Sequence, residues 1–172
     1  MVSTTGRHGR PALRLVVAPE LEPAAPSVLF CSHCGNRPSS PATSDNGPGS
    51  RVCVDCGLGL LIEAAENVAP NAGDAFLVLD RALSVLAVSR SAERLLATSE
   101  PDVVNRHISD LLMPADAEGE AAQSLSVAVA WAARGDGGTR TTVVRPANTF
   151  GIRLTARIAS CGPPRAALLV LE

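Results

Sequence analysis

Four cysteines fall in two tight pairs, Cys31-Ser-His-Cys34-Gly35 and Cys53-Val-Asp-Cys56-Gly57, with 18 residues between Cys34 and Cys53. No other feature constrains the fold so strongly, because two Cys-x2-Cys pairs roughly 15–20 residues apart have the spacing of a tetrahedral zinc site. Two intervening residues let both sulfurs of one turn reach a single ion. A glycine directly after each pair takes a backbone conformation that a side chain would resist. The turn also aims backbone N–H groups at the sulfurs, which offsets thiolate charge. The expected ligand set is Cys31, Cys34, Cys53 and Cys56, around one structural zinc ion.

The expected compartment agrees with metal rather than disulfide chemistry. No apolar stretch approaches the roughly 18 residues that cross a membrane. The N-terminal segment scatters Arg7, Arg10 and Arg14 among Gly, Pro and Thr, unlike the compact charged start and apolar core of a signal peptide. A cytoplasmic protein without a membrane partner is expected, and there thiols stay reduced. Hydrophobic residues make up 46% of the 172, enough for a packed core.

All 15 basic residues are arginine, which GC-rich bacterial coding sequence explains without any nucleic-acid function. Charge position argues the same way. Residues 1–60 hold Arg7, Arg10, Arg14, Arg37 and Arg51 against Glu20, Glu22, Asp45 and Asp55, a balance of +1. Four thiolates around a divalent ion add about −2, so the cysteine region lacks the concentrated basic face that phosphate binding needs. Nucleic acid is not an expected partner.

Along the chain, residues 1–27 read as a disordered or loosely held arm, within which Leu13–Val17 could form a short strand. Residues 28–57 are the cysteine module, a zinc ribbon. Its spacer, residues 36–50, is rich in Pro, Gly and Ser and reads as a loop pinned at both ends by the metal. Residues 58–73 form a linker: Leu58, Leu61, Ile62 and Ala65 fall at helical spacing, and Pro70, Asn71 and Gly73 break the element.

From Asp74 the period changes. Ala75–Asp80 and Leu83–Ser89 are apolar runs of strand length around a tight turn at Arg81. Ser89 or Ser91 can cap a two-turn helix through Ala97. Asp102–Met113 contains a further helical piece ended by Pro114. Ala115–Ala133 is the longest helical stretch, with Leu125, Val129 and Ala132 on one face and glycines at its end. Three strand-like runs follow: Thr139–Arg145, Phe150–Ser160 and Arg165–Leu171. In the middle one Ile152, Leu154, Ala156 and Ile158 alternate with Arg153, Thr155 and Arg157. Short turns at Arg81 and at Gly162-Pro163-Pro164 favour antiparallel pairing. The expected fold class is α+β, one antiparallel sheet with helices on one face.

In this order of elements residues 74–172 resemble a PAS domain. Asp74-Ala-Phe-Leu-Val-Leu-Asp80, Leu83-Ser-Val-Leu-Ala-Val-Ser89 and Ser91-Ala-Glu-Arg-Leu-Leu96 resemble the opening strands and first helix of that family. Asn105-Arg-His-Ile-Ser-Asp-Leu-Leu112, with Pro114 and Asp116, resembles its next helical segment and turn. The resemblance implies a five-stranded antiparallel sheet with covering helices, a sensory or interaction module able to enclose a small molecule. It also implies dimerisation and signalling through a flanking helix, a place that Leu58–Asn67 would occupy.

The cofactor variants of that family find no matching residues. Haem-binding relatives need a histidine on the long helix, and Ala115–Arg134 has none. Flavin photosensors need a cysteine in the segment that here reads Asn105-Arg106-His107. Cys161, at a strand end, reads as structural, His107 as a helix-surface or capping residue, and Trp131 as packing rather than a ligand platform. No haem or flavin is expected.

Nor is an enzyme. Nucleophile, base and orienting group do not occur as a set: His8, His33 and His107 are scattered over the arm, the first knuckle and a helix. Gly57-Leu-Gly59 and Gly135-Asp-Gly-Gly lack the lysine and context of a phosphate loop. Four thiolates would close the metal shell, whereas a catalytic zinc keeps a position open. His33, as a fifth candidate, is expected to face solvent. The leading expectation is a non-enzymatic bacterial signalling protein whose zinc ribbon docks a protein partner. The rivals are a transcription-associated nucleic-acid binder and a rubredoxin-like iron carrier, for which Phe30 is the sole aromatic nearby.

Overall fold

The computed structural model describes residues 26–38, 51–115, 121–136 and 138–172. Of the expected arm only Pro26 and Ser27 are among them, and residues 39–50 of the spacer, with His8 and Leu13–Val17, lie outside.

The strands are β1 (Ser27–Cys31), β2 (Leu61–Ala65), β3 (Ala75–Leu79), β4 (Val85–Val88), β5 (Leu112–Pro114), β6 (Arg140–Pro146), β7 (Leu154–Gly162) and β8 (Ala166–Leu171). Between β4 and β5 lie α1 (Arg90–Leu96), α2 (Glu100–Val103) and a 3-10 turn at Ile108–Asp110; α3 (Ala121–Ala132) precedes β6. All strands join one antiparallel sheet in the order β1-β2-β7-β8-β3-β4, with β6 also on β7 and β5 on β6.

Strand β7 explains how one sheet takes in both halves of the chain. Its first part, Leu154–Ile158, pairs with β6, while Cys161 and Gly162 at its end pair with Ala64 and Glu63 of β2. Two neighbours thus share one edge. The expected five-stranded arrangement is present as β4-β3-β8-β7-β6, and β1, β2 and β5 extend it beyond the expected number.

The principal correction concerns residues 58–67, expected as a linker helix. Leu61–Ala65 is a strand, paired Cys31↔Leu61 through Ser27↔Ala65 with β1 and held to β7 on its other side. A short apolar run cannot be told from a helix by periodicity alone. Here two adjacent strands offer ladders for its backbone groups, and tertiary pairing outweighs local preference. Asp102–Met113 also differs from expectation. It divides into the end of α2, the 3-10 turn and β5, with Asn105 at φ 68° between them. The β7 run begins at Leu154 rather than at Phe150, which is 87% exposed.

Both faces of the sheet are apolar. On the inner face Leu77, Leu79, Val85, Ile158, Ala167 and Leu169 pack against Leu96 of α1 and Leu125 and Val129 of α3. On the outer face Phe76, Val78, Leu168 and Val170 pack under Phe30, Ile62, Val68 and Ala69. Strand β8 is buried at every position because its odd residues face the helices and its even ones the hairpin. Ser89 caps α1 as expected. Its Oγ accepts from Ala92 N at 3.1 Å and Phe76 N at 2.9 Å, and donates to the Asp74 carbonyl at 3.1 Å.

Candidate metal centre

The β1–β2 hairpin carries the cysteine pairs at one end. Cys31 is the last residue of β1, so the first knuckle leaves the strand directly. The second knuckle is closed by a bridge between Val52 and Leu60, just before β2. Their backbones repeat the same turn: Gly35 N donates to Cys31 O at 3.0 Å, and Gly57 N to Cys53 O at 2.9 Å. Gly35 and Gly57 have φ +74° and +68°, the left-handed region that disfavours side chains. The expected role of both glycines is therefore met.

The four Sγ atoms lie within 4.8 Å of one another. Cys31 and Cys56 are 3.6 Å apart, Cys34 and Cys53 3.9 Å. A tetrahedron of sulfurs with about 2.3 Å bonds to zinc has edges near ~3.8 Å. The donor set and spacing therefore fit one tetrahedral, thiophilic ion. Backbone N–H groups point at the sulfurs, from His33 at 3.4 Å and Cys34 at 3.5 Å to Cys31, and from Gly59 at 3.5 Å to Cys56. These donors temper the negative charge that four thiolates concentrate.

The thiols are not equivalent. Burial pushes Cys31 far above an ordinary thiol and raises Cys34 as well. At Cys56 burial acts the same way, but hydrogen bonds from the Gly59 and Leu58 backbone, together with those from the Cys31 and Cys34 thiols, outweigh it and bring the thiol down to about 7.

Gly59 is a residue whose role the spacing does not reveal. A Cβ there would lie 2.3 Å from Cys31 Sγ and 2.8 Å from His33 N. The second knuckle crosses the first so closely that only hydrogen fits. Asn36 Nδ2 donates to Asp55 Oδ2 at 2.9 Å, and Leu60 N to Ser32 Oγ at 3.0 Å, joining the knuckles again outside the sulfurs.

The first knuckle is also fixed to the sheet. Arg90 N, at the start of α1, donates to the His33 carbonyl at 3.0 Å. Arg37 donates through Nε to Pro70 O at 2.9 Å and through Nη2 to Ala69 O. Gly35 sits against Asn71, where a Cβ would meet the carbonyl oxygen at 2.4 Å. Phe30, one residue before the first ligand, meets Phe76 edge-to-face with ring centroids 5.7 Å apart.

The remaining candidates separate from this centre. His33, expected to face solvent, is instead 8% exposed, and its Nδ1 has no hydrogen-bond partner. The cause is the tight crossing by Gly59 and the docking of its carbonyl on α1. His107 caps the 3-10 turn, Nδ1 accepting from Ser109 N at 3.2 Å. Trp131 packs on the surface of α3 with the Arg140 guanidinium 4.7 Å over its ring. Cys161 is buried in β7 outside the thiol cluster, and burial pushes its thiol up to about 12. No helix among the described residues is long and apolar enough to cross a membrane.

No curated protein matches the chain. Among solved structures, the PAS domain of nitrogen regulation protein NR(II) from Vibrio parahaemolyticus is similar at 17% identity and a TM-score of 0.42, over 58% of this chain and 88% of that one. The PAS domain of the Cronobacter turicensis RpfR quorum-sensing receptor, in complex with BDSF, shows 13% identity and a TM-score of 0.46, over 61% and 97%. A domain of an HTR-like protein from Haloarcula marismortui gives 17% and 0.43, over 59% and 97%. The family profile described as PAS fold matches residues 63–165, more than half of the chain. On that match, which starts inside β2 and ends just before β8, the chain belongs to the PAS family.

Proposed function

We propose that this protein is a non-enzymatic signalling module in which a PAS domain carries a structural zinc centre and acts by binding a protein partner. The observation that carries the reading is the closed set of four sulfurs at the end of a hairpin locked onto the sheet. Cys31, Cys34, Cys53 and Cys56 would hold the ion. With four thiolate ligands zinc has no position left for water or substrate, so it cross-links rather than catalyses. PAS domains of a nitrogen regulation protein and of a quorum-sensing receptor are among the similar structures, which suits a regulatory role.

The partner surface in this reading is the second knuckle, where Val54, Leu58 and Leu60 are each more than half exposed. A homodimer through a linker helix is no longer part of it, since those residues form β2. Nucleic acid is not favoured, because the chain is net negative and a thiolate-bound ion adds negative charge.

Metal analysis and a visible spectrum of one purified sample test the reading. One zinc per chain and no visible band are expected. A red, iron-loaded protein would replace it with a rubredoxin-like carrier, and a haem or flavin band would overturn the absence of a chromophore. Salt-dependent DNA or RNA binding would move the function to the nucleic-acid class.

A further inference from the structure

Between the metal-bearing hairpin and the strands beneath it lies a cleft of about 160 Å³. It is on the outer face of the sheet, opposite the helices. Val78 and Cys161 line it from the sheet, Leu60 and Ile62 from the hairpin, and Leu86 and Pro164 from its sides. Ser32 brings a hydroxyl to the wall, and that oxygen already accepts the Leu60 N–H.

Size and lining together select the occupant. A buried water needs roughly two to four polar partners, and this wall offers little beyond one engaged hydroxyl. Apolar cavities of roughly 150 Å³ in other proteins stay dry and take up benzene. Leu60 and Leu86 remain 54% and 40% exposed beside the cleft, so an apolar path leads into it. An apolar guest would make contacts with carbon walls that offer water few partners.

We propose that this cleft is a binding site for a small uncharged apolar molecule of about six carbon atoms, aromatic or aliphatic. The site lies on the opposite side of the sheet from the helix-covered core. It goes beyond the zinc reading, since it requires the hairpin in place and not a particular ion. Its wall nevertheless shares residues with the metal centre. Ser32 stands between Cys31 and Cys34, and Leu60 follows the glycine that touches Cys31. An occupant therefore touches the backbone that positions two ligands.

The test is a benzene titration of the full, metal-loaded chain, followed by methyl NMR. Saturable shifts are expected at Leu60, Ile62, Val78 and Leu86, with slower iodoacetamide alkylation of Cys161 mapped by peptide mass. Ala166→Leu fills the cleft from the β8 side and should abolish both effects; Ala87→Leu fills it from β4 if the first variant does not fold. The proposal is overturned if benzene leaves these methyls unshifted. It is equally overturned if the shifts fall on inner-face Leu77 and Leu169, or if they persist in the folded filled variant. Metal content of the same sample reports separately on the zinc centre.

Discussion

The two faces of the sheet are covered by different means. The inner face lies under the helices α1 and α3, which the chain supplies on either side of β5. The outer face lies under a five-residue hairpin pair, β1 and β2, whose connection runs through both cysteine knuckles. An isolated two-stranded hairpin is marginal in water. Beyond the short ladder from β2 to β7, its hold on Phe76, Val78, Leu168 and Val170 is reinforced at the knuckle end, by the Arg90 and Arg37 contacts and by the cysteine cluster. The comparison teaches that one sheet can carry a cover of helices on one face and of strands on the other, and that an ion at the four cysteines would add a tie the helices lack.

The largest effect should come from removing the metal. Structural zinc contributes apparent free energies of about 10–16 kcal/mol in small zinc-binding peptides. Chelation, or Cys53→Ser, should release the hairpin, expose the outer face to a hydrophobic dye, and leave amides of β7, β8 and β3 protected from hydrogen exchange. Simultaneous loss of protection throughout would show that the two faces are one cooperative unit, and the comparison would break there.

Matched truncations come next. Leu169→Ala on the inner face should cost about 2–5 kcal/mol with or without metal, and Phe30→Ala on the outer face about 3–5 kcal/mol in the metal-loaded protein only. Chemical denaturation of both variants, loaded and stripped, checks this. An equal cost for Phe30→Ala in the stripped protein would mean that the hairpin stays docked unaided.

Gly59→Ala tests how the cover is stapled. Its Cβ would stand 2.3 Å from Cys31 Sγ, so the knuckles must separate. Metal affinity, read by chelator competition, should fall roughly 10–100-fold, the range for groups that position ligands without binding the ion. Gly57→Ala meets no atom within 4 Å and is strained only by its positive φ, so it should lose less.

The narrowest effect, absent at neutral pH, is a pH dependence at Cys161. Its thiol rises from 9.0 to about 12 through burial, so the folded state favours the neutral form. The sign follows: this stability is complete below about 9, the unfolded value, and is lost as pH rises towards 12. Above pH 9 the wild type should lose stability more steeply than Cys161→Ala, by up to about 1.4 kcal/mol per pH unit. Parallel slopes would mean that the cleft beside Cys161 admits water freely.

Much of this was legible residue by residue. The Ala75–Asp80 and Leu83–Ser89 runs became β3 and β4, Ser89 became the cap of α1, and the cysteine spacing located the four converging sulfurs. The run Arg165–Leu171 also held an unread signal. Six consecutive apolar residues without alternation fit a strand buried on both sides. Leu58–Asn67 was not legible, because its apolar spacing fits a helix as well as a strand, and the ladders that decide it come from β1 and from β7, about 100 residues away.

The sequence by itself determined which atoms can take a metal and which segments alternate, since knuckle geometry and strand period are local properties. Only the tertiary structure decided that the four-cysteine cluster belongs to the same sheet as the PAS core. It also decided that Gly59 must be small, that His33 is buried, and that a cleft opens beside Cys161. Each of these depends on surfaces brought together from distant parts of the chain, and close packing between such surfaces leaves no trace in residue spacing.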